Sequence, residues 1–217
     1  AGWPIPPGLV VNPLSALLGK PLIIVVESAF WRVSDPATAT RKQRLRAWLT
    51  EAFARWSVRA AHLAIFTHSG YRDSLKGNRN AQSMVAPATW ISETDILQRA
   101  DAVKKWAAIP KQPRFLLASR LTTDKGIHVA MKALQSLDAR GIDLDLDIVG
   151  NGPLREFIIR QSHKFQNVRV KLLEQTPYGA EFFDLVRRYQ AIVVPTLSDE
   201  QPRVIFDAFS QSVPVIA

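Results

Sequence analysis

The chain has 217 residues, 47% hydrophobic and 22% charged, with a net charge of +9. That composition suits a globular protein with one large or two small domains. It has no cysteine, which excludes disulfides, zinc–thiolate sites and thiol catalysis; its four histidines, His62, His68, His128 and His163, show no metal-ligand spacing. No apolar run reaches the length of a transmembrane helix, and the positive balance favours anionic partners such as nucleic acid, anionic lipid or sugar phosphates.

The opening residues, Ala1-Gly2-Trp3-Pro4-Ile5-Pro6-Pro7, lack the basic-then-apolar order of a signal peptide. There is no initiator Met, and the last residues, 213–217, lie within an apolar run. Both ends read as cuts in a longer protein. Residues 21–26 form a continuous branched apolar run, the pattern of a parallel strand covered on both faces. A helix is predicted over 41–61, with Leu45, Trp48, Leu49, Ala52, Phe53, Trp56 and Ala60 recurring at three and four residues as its buried stripe. Its cations, Arg41, Lys42, Arg44, Arg46, Arg55 and Arg59, read either as a solvated face, partly paired through Glu51 and Arg55 at i,i+4, or as a patch for a membrane surface or an acidic ligand. A short strand follows at 63–67, with Ser69 placed to cap the next helix.

Residues 87–113 carry a weaker signal, with one or two short helices between Trp90 and Trp106. The run Pro110-Lys111-Gln112-Pro113 breaks the chain afterwards. The expected division is a partial first domain over 1–95, a linker over 96–112 and a second domain over 113–217. The second domain alternates clearly. Strands are predicted at 115–118, 144–149, 168–172, 191–194 and 213–217, and helices at 127–137, 153–163, 178–188 and 204–211. Such alternation argues for βαβ units and a parallel sheet, an α/β fold of Rossmann-like, doubly wound type. Doubly wound sheets bind ligands outside the carboxyl ends of their strands, so the loops after Ala118, Val149 and Pro195 are where a site is expected.

Asp143, Asp145 and Asp147 contain an Asp-x-Asp that suggests a metal site. They alternate with Leu144, Leu146 and Ile148 along one strand, so they read as solvated acids on a polar strand face. After that strand, Gly150 and Gly152 let the backbone approach a ligand, and Pro153 suits the first turn of a helix; a plain tight turn explains them equally well. Near the C-terminal end, Asp199 and Asp207 stand with seven residues between them. The first follows the strand at 191–194 and the second lies on the next helix. A strand, an acidic turn and a helix N-terminus hold phosphate through free N–H groups, while carboxylates accept hydrogen bonds from hydroxyls. A phosphate beside polyol hydroxyls describes a nucleotide sugar.

This last segment resembles the donor-site signature of the retaining GT-B glycosyltransferases of family 4, Pro-Ser-x-x-Glu-Gly-Phe-x-x-x-x-x-Glu-Ala-x-x-x-Gly-x-Pro-Val-Ile-Ala. Pro195, Ala208 and residues 214–217 keep the pattern; Asp199 and Asp207 stand for its two Glu residues, Ser212 for its Gly and Glu200 for the Gly after the first acid. The resemblance implies a GT-B architecture of two Rossmann-like domains, the first incomplete here. It assigns the sugar to Asp199, with Glu200 and Gln201 beside it, and the ribose to Asp207. Amides near Gln201, Arg203 and Val204 would approach the phosphates and sugar, Arg203 adding a cation at an apolar family position. Ser119-Arg120-Leu121-Thr122-Thr123-Asp124-Lys125-Gly126 is similar to the family's Gly-Arg-Leu-x-x-x-Lys-Gly, which assigns the diphosphate to Arg120 and Lys125; preset cations stabilise a leaving diphosphate. Val149-Gly150-Asn151-Gly152-Pro153-Leu154 resembles the turn lining the family's nucleotide cleft.

The family often has a His after a strand of the first domain, near the reacting sugar. The resemblance puts Glu27 there, where a carboxylate orients the sugar or accepts the acceptor proton, or is an ordinary loop acid; His68 is a second candidate. The implied reaction moves a sugar from a nucleoside diphosphate sugar to an acceptor hydroxyl with retention, and the fragment alone is expected to be inactive. Implied partners are a nucleotide sugar and a carbohydrate or lipid-linked acceptor. No metal, other cofactor or nucleic acid is expected, and the location is cytoplasmic with peripheral contact at the inner membrane face. The same fold also admits a catalytically inactive nucleotide-sugar-binding module or a basic nucleic-acid-binding one. A dinucleotide enzyme would need G-x-G-x-x-G after a first strand and an acid about twenty residues on, which neither half supplies.

Overall fold

A computed structural model describes residues 8–29, 31–33, 39–76, 82–107, 110, 112–197 and 201–217. The chain divides into two compact units, one over residues 1–88 with 199–201, the other over 89–198 with 202–217.

In the first unit, strand β1 (Ile23–Val26) pairs in parallel with β2 (Leu63–Phe66), which pairs in parallel with β3 (Gln82–Val85). Helix α1 (Gly8–Leu17) precedes β1, α2 (Arg41–Ala60) joins β1 to β2, and α3 (Ser69–Lys76) joins β2 to β3. The core gathers Val26, Ala29, Val58, Ala64, Phe66, Tyr71 and Leu75. Helix α2 starts sharply because Thr40 and Gln43 form a capping box: the Thr40 hydroxyl accepts from the Gln43 amide (3.3 Å), and the Gln43 side chain accepts from the Thr40 amide (2.8 Å).

Three local expectations change here. Strand β1 was expected to be covered on both faces, but Ile23 and Val25 are 61% and 57% exposed. The imidazole of His68, not Ser69, tends the start of α3: its Nδ1 accepts from the Gly70 amide at 3.0 Å, and Ser69 is already helical. Most of the stripe expected to be the buried side of α2 points away from the core, although Phe53 and Ala60 are half-buried. Leu45, Trp48, Leu49 and Trp56 are 58%, 65%, 54% and 41% exposed, while the buried residues of the helix are Ser57 and Val58. Periodicity fixes which side chains share a face, and says nothing about which face meets the sheet.

The second unit holds β4 (Arg114–Ala118), β5 (Leu144–Val149), β6 (Val168–Leu173), β7 (Ala191–Val193) and β8 (Val215–Ile216), all parallel, in the order β6-β5-β4-β7-β8. Helices α5 (Ile127–Asp138), α6 (Arg155–Ser162), α7 (Ala180–Arg187) and α8 (Val204–Ser210) connect them in turn. Successive residues of β4 face opposite ways. Leu117 joins Ile127, Met131, Leu134 and Ile158 from α5 and α6, and Leu116 joins Val186 and Ala208 from α7 and α8. The sheet is therefore covered on both faces, which is why its strands read as apolar runs. The strand order reverses direction at β4, between β5 and β7, which makes the carboxyl end of β4 the switch point of a doubly wound sheet.

Residues 96–112, expected as a linker, include α4 (Arg99–Ala107) and group with this unit. The Leu97 amide donates to the Ser210 carbonyl (2.8 Å), Trp106 Nε1 to that of Ser212 (2.8 Å), and Gln211 Nε2 to that of Asp95 (2.7 Å). The acids of β5 alternate as expected, but Asp147 is not solvated. It is buried, accepts from the Tyr189 hydroxyl at 2.6 Å and pairs with Arg114 Nη2, while Asp145 pairs with Arg169 Nε at 2.6 Å. These two acids serve the sheet.

Candidate functional site

The floor of the site is backbone, brought together at the switch point. A 3₁₀ turn at Thr123–Lys125 follows β4 and ends at Gly126, whose φ of 70° is left-handed. A Cβ on Gly126 would stand 1.7 Å from the Pro195 carbonyl oxygen, so only glycine lets the loop after β4 meet the loop after β7 this closely. The Asp124 carbonyl fastens that junction by accepting from the Leu197 amide (2.8 Å) and the Thr196 hydroxyl (3.3 Å). On the other side, a Cβ on Gly150 would stand 1.8 Å from the Ser119 carbonyl oxygen. There the Ser119 amide donates to Val149 (3.1 Å) and the Leu121 amide to Asn151 (2.9 Å).

Above this floor lies a cleft of about 700 Å³, within the usual size range of small-molecule sites. It opens at the carboxyl ends of β4, β5 and β6. Ser119 and Arg120 come from the first, Gly150 and Asn151 from the second, and residues 175–178 from the third; Arg203, Val204 and Asp207 of the α8 region complete it. Asp207 is buried, and its Oδ1 accepts from the Tyr178 hydroxyl at 2.9 Å. Loss of water around Asp207 raises its carboxyl above the ordinary value, against the lowering effects of the Tyr178 hydrogen bond and the Arg203 cation. Burial likewise raises the Tyr178 hydroxyl, with Asp207 adding to the effect.

Aromatic side chains form one wall. Tyr178 stacks on Phe182 (5.9 Å between centroids) and meets Trp90 edge-on (5.6 Å), and the Arg203 guanidinium lies 4.3 Å from the centre of the Trp90 ring. Trp90, Tyr178 and Phe182 were not singled out in the sequence. Trp90 lies far from the other two along the chain, and Tyr178 and Phe182 stand four apart at the start of the stretch expected as a helix over 178–188; the one local signal was the Pro177-Tyr178-Gly179 turn after β6.

Of the residues expected in the donor site, Arg120, Arg203, Val204, Asp207 and Gly150 line this one cleft. Lys125 and Gly152 support it without lining it. Lys125 Nζ is 3.8 Å and Arg120 Nη2 3.9 Å from Asp124 Oδ2, so one carboxylate bridges both cations. A Cβ on Gly152 would stand 2.6 Å from the Leu121 carbonyl oxygen. Gln201 is half-buried ahead of α8 and is not among the lining residues; Asp199 and Glu200 lie outside the described residues. Glu27 belongs to the first unit. It lines a separate, mostly apolar cavity of about 460 Å³ with Ile24, Val26, Trp31 and Phe53, among others. Among the described residues, no group of three or more His, Cys, Asp or Glu side chains is arranged to hold a metal ion.

Known proteins resemble this chain along most of its length. It is 23% identical over 221 residues to the glycogen synthase of Mycobacterium tuberculosis, covering 95% of this chain and 51% of that one. It is 20% identical over 215 residues to the alpha-D-kanosaminyltransferase of Streptomyces kanamyceticus, covering 94% and 54%. Among solved structures, Anabaena HepE in complex with UDP aligns with a TM-score of 0.66 at 18% identity, covering 96% of this chain and 56% of that one. Sucrose-phosphate synthase from Thermosynechococcus elongatus aligns with a TM-score of 0.65 at 18% identity, covering 97% and 53%. The fold is that of the GT-B glycosyltransferases, and the chain spans about half the length of the curated relatives it matches. The profile described as "Glycosyl transferases group 1" matches residues 98–217, the stretch that carries the switch-point cleft, and the chain belongs to that family.

Proposed function

We propose that the protein transfers a glycosyl group from a nucleoside diphosphate sugar to an acceptor hydroxyl with retention, as a family 4 enzyme. The observation that carries this reading is the convergence of Arg120, Arg203 and Asp207 on one cleft at the switch point. Arg120 and Arg203 supply cations for the diphosphate, with Lys125 reinforcing Arg120 across Asp124 and Val204 at the helix start. Asp207 accepts from the ribose hydroxyls, and the aromatic wall gives the base a surface to stack on. Gly150 and Gly152 keep side chains out of the nucleotide's path. Asp199, Glu200 and Gln201 take the sugar, and Glu27 acts on the acceptor side. Retention is assigned from the paired-acid signature. The reading requires no metal. Its acceptor is a carbohydrate or a lipid-linked one, met in the cytoplasm.

UDP is the first nucleotide to try, because the HepE structure holds UDP. Calorimetric titration of the chain with UDP, GDP and ADP should find one that binds. Arg120→Ala should weaken that binding at least about tenfold, the cost of one charge-assisted contact. Equal affinity in the variant would remove Arg120 from the site and overturn the assignment. Donor hydrolysis or transfer then separates an enzyme from a binding module that has kept only the fold.

A further inference from the structure

Tyr178 reaches the cleft from the loop after β6, and its ring is held from several sides. It stacks on Phe182 (5.9 Å between centroids) and meets Trp90 and the buried Phe183 edge-on, each at 5.6 Å. The ring therefore has a set direction, and its hydroxyl ends 2.9 Å from Oδ1 of Asp207, itself buried on α8. A carboxylate only accepts, so the phenol gives its single proton to Oδ1 and keeps its lone pairs. Burial, with the Asp207 charge beside it, raises the Tyr178 hydroxyl above its ordinary value, so the proton stays on the phenol at neutral pH. Donating to a charge also makes the phenolic oxygen a stronger acceptor in its turn. The pair thus carries two neighbouring acceptors, Asp207 Oδ2 and the Tyr178 oxygen, and both residues line the cleft.

We infer that Tyr178 is a specificity-determining residue of the donor site: its phenolic oxygen accepts from one ribose hydroxyl while Asp207 accepts from the other, so that the pair reads a vicinal diol. This deepens the nucleotide-sugar reading and rests on it. Asp207 is one methylene shorter than the glutamate for which it stands, and the bonded phenol supplies a second acceptor where the shorter acid reaches less far. Two other roles would use the same hydrogen bond. A plug would have to swing away before a ribose entered, and leaving would break the contacts with Phe182, Phe183 and Trp90 together. A mere brace for Asp207 needs no surface in the cleft, whereas Tyr178 lines it and is 47% exposed.

The test takes whichever of UDP, GDP and ADP binds and compares it by calorimetry with its 2′-deoxy and 3′-deoxy forms, in the parent and in Tyr178→Phe. The parent should bind each deoxy form roughly fivefold more weakly, the cost of one hydrogen bond. Tyr178→Phe should weaken the full nucleotide by a similar factor, erase the penalty for one deoxy form and keep it for the other. A brace moves a different readout: all three affinities would fall together with both penalties intact, and the inference would be lost. Tighter binding of the full nucleotide by the variant would make the phenol a competitor of ribose and refute it as well. If the variant fails to fold by circular dichroism, the parent still decides. A penalty for each missing hydroxyl supports the paired acceptors, and equal affinity for all three forms removes the ribose contact while leaving the donor site in place. Failure of every nucleotide to bind would overturn the donor-site reading itself, and this inference with it.

Discussion

Two glycines with nearly the same backbone separate strain from contact. Gly126 (φ 70°) and Gly141 (φ 68°) are both left-handed, but a Cβ at 141 would meet nothing within 4 Å, whereas one at 126 would stand 1.7 Å from the Pro195 carbonyl oxygen. Gly141→Ala should therefore cost only the conformational penalty, about 1 kcal/mol. Gly126→Ala must also force the loops after β4 and β7 apart, and should cost about 3 kcal/mol or more. Urea unfolding of both variants measures the difference, and equal losses would mean that the junction yields easily. The residues that make this junction were legible: the Arg120–Lys125–Gly126 run and Pro195 stand out in the sequence. That Gly126 touches Pro195 was not, because a contact across 69 positions is set by sheet order rather than by local pattern. The same holds for Tyr178 and Asp207, bonded 29 residues apart.

At the scale of elements, alternation was enough to predict all five strands of the second unit to within two residues at each end, with the connecting helices between them. Strand β3 went unread because only Met84 and Val85 of its four residues are apolar. Helix α2 was read with the right face pattern and the wrong direction; a stripe flanked by cations on both sides is the sign of an outward face. Helix α4 falls where one or two short helices were expected between Trp90 and Trp106, and its docking puts Lys105 in an unusual place. Lys105 Nζ is buried without a hydrogen-bond partner, 5.0 Å from the centre of the Trp106 ring. Loss of water, with Arg187 nearby, lowers its ammonium to about 8 from the ordinary 10.5. Between those two values the unfolded chain holds a proton that the folded one has released, so stability rises with pH across that window. The upper part is opposed by Tyr178 and Tyr189, whose hydroxyls are raised by burial and whose contribution is lost as they ionise. Lys105→Met isolates the lysine. Its urea midpoint should exceed the parent's at neutral pH, and the gap should narrow as pH rises from about 8 towards 10.5. A constant gap would place the ammonium in water.

The two units have separate cores: Val26, Val58, Phe66 and Tyr71 gather in the first, while the second packs Leu116 and Leu117 against helices on both sides of its sheet. A unit with its own core melts on its own terms unless a large interface couples it to a neighbour. The proposed nucleotide cleft is lined, among the described residues, by the second unit alone. A ligand stabilises what it binds, by about 2.7 kcal/mol at a hundredfold excess over its dissociation constant. In scanning calorimetry, a saturating amount of the nucleotide that binds should therefore raise the melting of the second unit by on the order of 10 °C. Trp31 and Trp56 report the first unit and Trp90 and Trp106 the second, so single Trp→Phe variants followed by fluorescence assign each transition. If the nucleotide raised the melting of the first unit and left that of the second in place, the second unit's cleft would not be the nucleotide site.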